Sequence, residues 1–235
     1  MLLFRHHITT LTIEDISQQL HIPQSTVYRY MRVLSDHGFI EKSGSSSYRL
    51  GLAFLELGRT ALNSNRDLKL RALPAMERIA RTCGESVSLM RRFNDRVICI
   101  ENIEGRYALR VAMEPGRTQP IYAGASSKLL LAYLPAEEQD QLLQTPMDRL
   151  TTTTITNADQ LREELQRIRQ QGFAVSDGEI DSGARAVAVP VYDGRDMVVA
   201  ALSIEAPATR MDDAAVVAYR DLLLLEAKQI RREFK

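Results

Sequence analysis

The chain has 235 residues, 45% of them hydrophobic and 26% charged, with 30 basic against 30 acidic side chains and a formal net charge of zero. That balance belongs to a soluble globular protein with one or two cored domains, and it carries no global basic footprint for nucleic acid. The two cysteines make no disulfide framework, no apolar run approaches the length of a membrane span, and Met1-Leu2-Leu3-Phe4 followed by Arg5-His6-His7 is too short for a signal peptide, so a reduced cytoplasmic setting is expected.

Thr12-Ile13-Glu14-Asp15 has the form of a capping box, which starts a helix whose apolar stripe is Ile13, Ile16 and Leu20. His21-Ile22 make a short turn, and Pro23 suits the first position of a second helix, where its missing N–H costs nothing. That helix runs from Gln24 to Leu34 and stops near Gly38. Val27, Met31 and Leu34 face one way and leave Ser25, Thr26, Tyr28, Arg29 and Arg32 for a polar face. Phe39 to Lys42, Ser43-Gly44-Ser45-Ser46 and Ser47 to Leu50 read as strand, turn and strand. Residues 12–50 therefore read as a helix–turn–helix followed by a β-wing.

A recognition helix needs small or hydrogen-bonding side chains where it enters the major groove, and guanidinium groups that reach phosphate or guanine. The candidate DNA contacts are Gln24, Ser25, Thr26, Tyr28, Arg29 and Arg32, with Lys42 and Arg49 on the wing. The bland reading is a small helical domain with a solvated face. Residues 1–50 hold Arg5, Arg29, Arg32, Lys42 and Arg49 against Glu14, Asp15, Asp36 and Glu41, which is 5 − 4 = +1, and all four histidines lie there too. Such a weak charge argues against strong non-specific binding and suits a dimer that engages two half-sites at once.

Leu52 to Leu62 is a helical stretch with apolar positions nearly all round, expected to be buried against something such as a partner copy. Asn63-Ser64-Asn65 loosens the chain there. Leu68 to Thr82 is an amphipathic helix with Pro74 near its start and Gly84 at its end. Ser86 to Arg91 and Arg96 to Glu101 read as strands joined at Asn94-Asp95, and Tyr107 to Met113 as a third strand. Helices follow at Leu129 to Leu134, Ala136 to Gln144 and Ala158 to Gln171, then strands at Phe173 to Ser176, Ala186 to Tyr192 and Met197 to Ile204. Asp212-Asp213 opens a long last helix that ends near Phe234, with Arg231-Arg232 at the end the helix dipole prefers. The expectation is α+β with a mostly antiparallel sheet, in three parts: a winged helix–turn–helix over 1–51, a linker helix over 52–66 and a second domain over 67–235.

The chain resembles the IclR family of bacterial transcriptional regulators. The likeness lies in Ile22-Pro23-Gln24-Ser25-Thr26-Val27-Tyr28-Arg29, His37-Gly38-Phe39-Ile40 and Tyr48-Arg49-Leu50-Gly51, then in Tyr122 to Ala132, Gly172-Phe173-Ala174, Gly183 to Asp193 and Ala200 to Ile204. It implies an N-terminal winged helix–turn–helix, a linker helix and a C-terminal GAF-like domain that binds a small effector, in dimers or dimers of dimers. Effectors of the organic-acid or sugar-derived kind, operator DNA and repression as the commoner mode are implied with it. Two departures stand out. The family carries a full helix before the helix–turn–helix, where this chain has only Met1-Leu2-Leu3-Phe4, so apolar surface is expected on the two helices it would cover. Ser127-Lys128 stands where Gly-Lys is usual.

Similarity places the effector-lining positions on Ala108, Val111, Ala125, Ser126, Ser176, Ala184, Ala186, Ser203 and Glu205. Ala125 to Ser127 precede a helix, where N–H groups and hydroxyls could hold a carboxylate or carbonyl. Ser203 and Glu205 share a strand face. A buried Glu205 needs a partner, for which Arg185 or Arg110 is expected, and it would then accept hydrogen bonds from an effector hydroxyl or amine. The alternative is a Glu205 solvated at the strand end.

Neither cofactor nor metal is expected. Asp177 to Gly183 alternates acids like a calcium loop, but Ser182 holds the sixth position and Ala188 the twelfth. His6-His7, Cys83 and Cys99 lack zinc spacing, and the C-terminal half has no histidine for a Ser/His/Asp or Cys/His pair. Gly124-Ala125-Ser126-Ser127-Lys128 does not match a phosphate loop. Two rivals to a regulator remain: a small-molecule sensor with a defective DNA-binding domain, and an enzyme using Asp177, Glu179 and Asp181.

Overall fold

The computed structural model describes residues 3–4, 8–44, 46–64, 66–111 and 113–234, without the side chains of 61–64 and 66. Met1-Leu2 and Arg5-His6-His7, Ser45 of the wing turn, Asn65 of the expected linker and Ala112 of the expected third strand lie outside the described residues. The chain divides into two compact units, 1–65 and 66–235.

In the first unit, β1 (Leu11–Thr12) leads into α1 (Ile13–Leu20) through the expected capping box. The Asp15 N–H donates to Thr12 Oγ1 at 3.1 Å and the Thr12 N–H donates to Asp15 Oδ2 at 2.8 Å, which holds the Asp15 carboxyl below its usual range. His21, in the left-handed region at φ 53°, ends α1 and turns the chain. Pro23 caps α2 (Gln24–Asp36) from just outside, not from its first position, because its own carbonyl accepts the N–H groups of Thr26 and Val27. The helix runs on past Leu34 to Asp36. Strands β2 (Ile40–Ser43) and β3 (Ser47–Leu50) form the wing, and β1 adds to the free side of β3, all antiparallel. Leu11, Ile16, Val27, Met31, Ile40 and Tyr48 make the core of this unit.

Gly51 closes the wing where nothing larger fits: a Cβ there would stand 2.1 Å from the Gly38 carbonyl oxygen. Helix α3 (Ala53–Ser64) follows, anchored by Phe54 edge-on to Phe39 at 5.4 Å. Two of its leucines are not covered within the unit, since Leu55 is 67% exposed and Leu57 50%, with Leu52 just before the helix at 69%. An apolar groove of about 570 Å³ also opens between α1 and α2, lined by Leu3, Phe4, Ile16, Leu20, Ile22, Tyr30 and Val33 among others.

The second unit is a six-stranded antiparallel sheet between two helical layers. Helix α4 (Arg66–Cys83) precedes β4 (Ser86–Phe93), β5 (Arg96–Ile103) and β6 (Thr118–Pro120). Then come α5 (Ala125–Ala132), α6 (Ala136–Leu143), α7 (Ala158–Gln171), β7 (Ala174–Asp177), β8 (Ala184–Tyr192), β9 (Val198–Pro207) and α8 (Asp213–Arg232). The strand order is β6-β5-β4-β9-β8-β7. Alternation along the strands splits the core in two. Val87, Leu89, Val187, Val189, Leu202 and Ile204 pack with Ala72, Met76 and Ile79 of α4 and Leu223 of α8. Met90, Val97, Cys99, Ala188 and Ala201 pack with Leu129 and Leu131 of α5 and Leu161, Leu165 and Ile168 of α7.

Three expectations are corrected here. Tyr107 to Met113 is not a strand; its described residues lie outside the sheet, and the outer edge of β5 pairs with β6 instead. Side chains hold that segment: Ser86 Oγ donates to the Val111 carbonyl at 2.7 Å and Arg210 Nη2 to the Leu109 carbonyl at 2.9 Å. Pro74 lies in the middle of α4, where both it and Leu70 are exposed, so water can serve the carbonyl that proline leaves unpaired. Helix α5 begins at Ala125 and not at Leu129, and every one of its residues is buried.

Candidate functional site

The outer side of α2 carries the first set of candidate residues. At about 100° per residue, Ser25, Arg29 and Arg32 share the stripe opposite buried Val27 and Met31. All three are exposed, and Arg29 also lies 5.8 Å from the Tyr30 ring. Gln24 and Tyr28 lie toward the wing, where they line one cleft with Lys42, Thr12, Glu14, Ser46 and Ser47. Thr26 sits on the opposite flank, half-buried. Arg49 differs from expectation. It faces Glu41 across the β2–β3 pair and donates to it at 2.9 Å, so this wing guanidinium is already matched by a carboxylate.

The second set surrounds a cavity of about 320 Å³ in the other unit. Val111, Ala125, Ser126, Ser176, Ala184, Ala186 and Glu205 line it. Ala108 is exposed and does not, because the segment carrying it is not a strand. Ser203 lies beneath the lining, fully buried, and reaches the cavity only through Glu205. The residues that sequence reasoning missed are Met90, Met113, Leu150 and Ile180, which make apolar wall, and Arg117, Thr118 and Gln119, which bring polar groups; Asp181 and Arg185, named above in other roles, line it too. They come from scattered parts of the chain, and no local pattern gathers them.

Glu205 takes neither expected partner. Arg110 pairs with Glu104, and Arg185 with Asp177 at 3.0 Å and Asp213 at 2.8 Å. The carboxyl instead meets the hydroxyls of Ser203 at 2.5 Å and Ser88 at 3.0 Å. It is not solvated at the strand end. It lies between Ser86 of β4 and Ala186 of β8 in the ladder, and burial pushes its pKa up from 4.5 to about 7 against the pull of the two serines. Burial, reinforced by Glu205 and Glu101, also pushes the Cys99 thiol to about 12 and leaves it unreactive.

A carboxyl with a raised native pKa holds a proton that the unfolded chain has released. Stability should therefore decline as pH rises from about 4.5 to about 7, where the cost of burying the charge is complete. Glu205→Gln is expected to flatten that part of the thermal-midpoint profile. Parallel profiles for the variant and the parent protein would refute the assignment.

Beside the cavity, a buried lysine fixes the loop that enters α5. Lys128 is 1% exposed. Its Nζ donates to Glu164 at 3.0 Å, to the Val175 carbonyl at 3.0 Å and to Glu179. Glu179 accepts the Gly124 N–H at 3.0 Å through its other oxygen. Burial works to raise the Glu164 pKa, but Lys128 and Arg167 together hold it below the usual value. Sequence reasoning noted Lys128 only in an unusual dipeptide and in a stretch that does not match a phosphate loop. Its signal was a lone charge inside the apolar run Leu129-Leu130-Leu131-Ala132, which asks for a buried counter-ion. Glu179, weighed above as an enzyme's acid, is that partner. Among the described residues no group of three His, Cys, Asp or Glu side chains is placed to hold a metal, and no helix is long and apolar enough to cross a membrane.

Two family models match the chain: the IclR helix-turn-helix domain over residues 1–44 and the bacterial transcriptional regulator IclR C-terminal domain over residues 60–232. Among curated relatives, the HTH-type transcriptional regulator KdgR of Escherichia coli is 34% identical over 220 residues, covering 93% of this chain and 83% of its own. The repressor AllR of Klebsiella pneumoniae is 31% identical, covering 93% and 81%. A putative IclR regulator from Silicibacter superposes with a TM-score of 0.86 at 25% identity, covering 99% of this chain and 92% of that one. An IclR homolog from Microbacterium hydrocarbonoxydans, solved in complex with 4-hydroxybenzoate, gives 0.75 at 27% identity, with coverage of 98% and 94%.

Proposed function

We propose, from the premise that this chain belongs to the IclR family of bacterial transcriptional regulators, that it reads operator DNA with α2 and the wing and answers to a small metabolite held in the C-terminal cavity. It is a DNA-binding regulator with an effector-type C-terminal domain. Repression is the mode we assign, in line with the AllR relatives, with the cytoplasm as its setting and no enzymatic activity. The observation that carries the effector reading is the cavity with both apolar wall and polar groups, the form small-molecule sites take. An organic acid or sugar-derived metabolite suits that lining. The exposed leucines before and along α3 supply the apolar surface for a homodimer, which places two reading helices on two half-sites.

Regulation requires the effector to bind DNA-competent and DNA-incompetent states unequally. The test is fluorescence anisotropy of the full chain on DNA from its own upstream region against a scrambled duplex at fixed salt, with and without a library of small metabolites. Preferential binding that one metabolite shifts is the expected result. Ala184→Phe, which sets a ring in the cavity that Ala184 lines, should retain DNA binding and lose that response. A variant that still responds fully would place the effector elsewhere. The apolar groove between α1 and α2 favours a second reading, a sensor with a weakened DNA-binding domain, which equal and weak binding to both duplexes would support.

A further inference from the structure

Glu205 sits in a hydrogen-bond chain whose protons can be counted. Ser203 donates to Oε1, and Ser88 Oγ lies 3.0 Å from Oε2 and 3.1 Å from Asn102 Oδ1. A serine hydroxyl has one hydrogen. Spent on Oε2, that hydrogen makes Ser88 a second donor to the Glu205 carboxyl, beside Ser203. Both hydroxyls beneath the carboxyl are then used within the protein. What the ionised Glu205 turns to the cavity is lone pairs only.

From this we infer that Glu205 is a specificity residue that selects effectors presenting a hydrogen-bond donor, a hydroxyl or an amine, to the sheet floor. The inference rests on the effector reading of the cavity and refines it. An apolar ligand end placed there would leave a buried acceptor unmet, and an anionic end would meet like charge or lone pairs; both lose affinity. Its ladder neighbours offer the carboxyl no charged partner: Ser86 of β4 donates to the Val111 carbonyl, Ala186 of β8 is apolar, and Arg185 pairs with Asp177 and Asp213. A near-neutral pKa lets the same carboxyl meet a hydroxyl as a neutral acid or an ammonium as an anion.

Three probes of one shape separate these cases: γ-hydroxybutyrate, γ-aminobutyrate and valerate, which carry a hydroxyl, an ammonium and a methyl group at the same end. Calorimetric titration of the full chain should show at least one donor-bearing probe binding about tenfold tighter than valerate, the worth of one hydrogen bond. Glu205→Gln keeps a neutral acceptor, so a hydroxyl preference survives it and an ammonium preference does not. Glu205→Ala should abolish either, with thermal unfolding checking that it is folded. Equal affinities for all three probes would remove Glu205 from recognition while leaving the effector reading intact. A preference that persists in Glu205→Ala, or no saturable binding by any probe, also overturns the inference. The effector reading itself stands or falls on the response of Ala184→Phe.

Discussion

Replacing Lys128 by alanine is expected to lower the thermal midpoint of the C-terminal unit by roughly 10 °C, from a loss of about 3–5 kcal/mol. The magnitude follows from what is left behind, not from what the ion pair contributes. Lys128 is buried on all sides, and its removal strands Glu179, which is itself nearly inaccessible. Glu164 is less affected, because Arg167 also holds it. Replacing a buried pair by apolar or neutral groups of similar volume is far cheaper than breaking it. The double change Lys128→Met with Glu179→Gln should therefore recover more than half of the loss. Differential scanning calorimetry measures both, and an unchanged midpoint in the single variant would show that Glu179 finds water or another cation. Glu179 also holds the Gly124 N–H, and Gly124 has φ 91° with Ile180 where a Cβ would stand. The single variant should thus disturb the cavity wall even at temperatures where the unit is folded.

Simultaneous replacement of Arg29 and Arg32 by alanine is expected to weaken operator binding by at least a hundredfold. A bidentate contact to guanine is worth about 1–3 kcal/mol, and loss of two contacts compounds. Both side chains are exposed on the outer stripe of α2, so the substitutions should leave circular dichroism and the thermal midpoint unchanged. The two arginines can be told apart by how they fail. A residue that reads a base loses discrimination at one operator position. A residue that touches phosphate weakens all duplexes alike and lowers the salt slope by about one. Wild-type affinity in the double variant would move the reading surface to the cleft of Gln24, Tyr28 and Lys42. Arg49→Ala should matter less than either, since Glu41 already accepts its hydrogen bonds.

Local chemistry made the N-terminal unit legible. The Thr12–Asp15 capping box, the turn before Pro23, the apolar spacing of Val27 and Met31 and the Ser/Gly-rich wing tip are contacts between residues a few positions apart, so their pattern survives in one dimension. The same holds for the ends of α7 and α8, set by Asn157, Gly172 and Asp212. The segment 107–113 misled because alternation says that a strand could form, not that a sheet edge is free to pair with it; β6 takes the edge of β5. Glu205 misled in its partners because opposite charge alone does not decide whether a fold brings Arg185 or Arg110 to it. Of its actual neighbours, Ser203 lies two residues away on its own strand, but Ser88 comes from β4, far away in the chain. The sequence by itself determined the family and most of the elements, and pointed to the exposed face of α2, through short-range hydrogen bonds and hydrophobic period. Only the tertiary structure decided which side chains close the cavity, which carboxyl keeps its proton and which lysine is buried, because desolvation and pairing depend on groups that meet across the sheet.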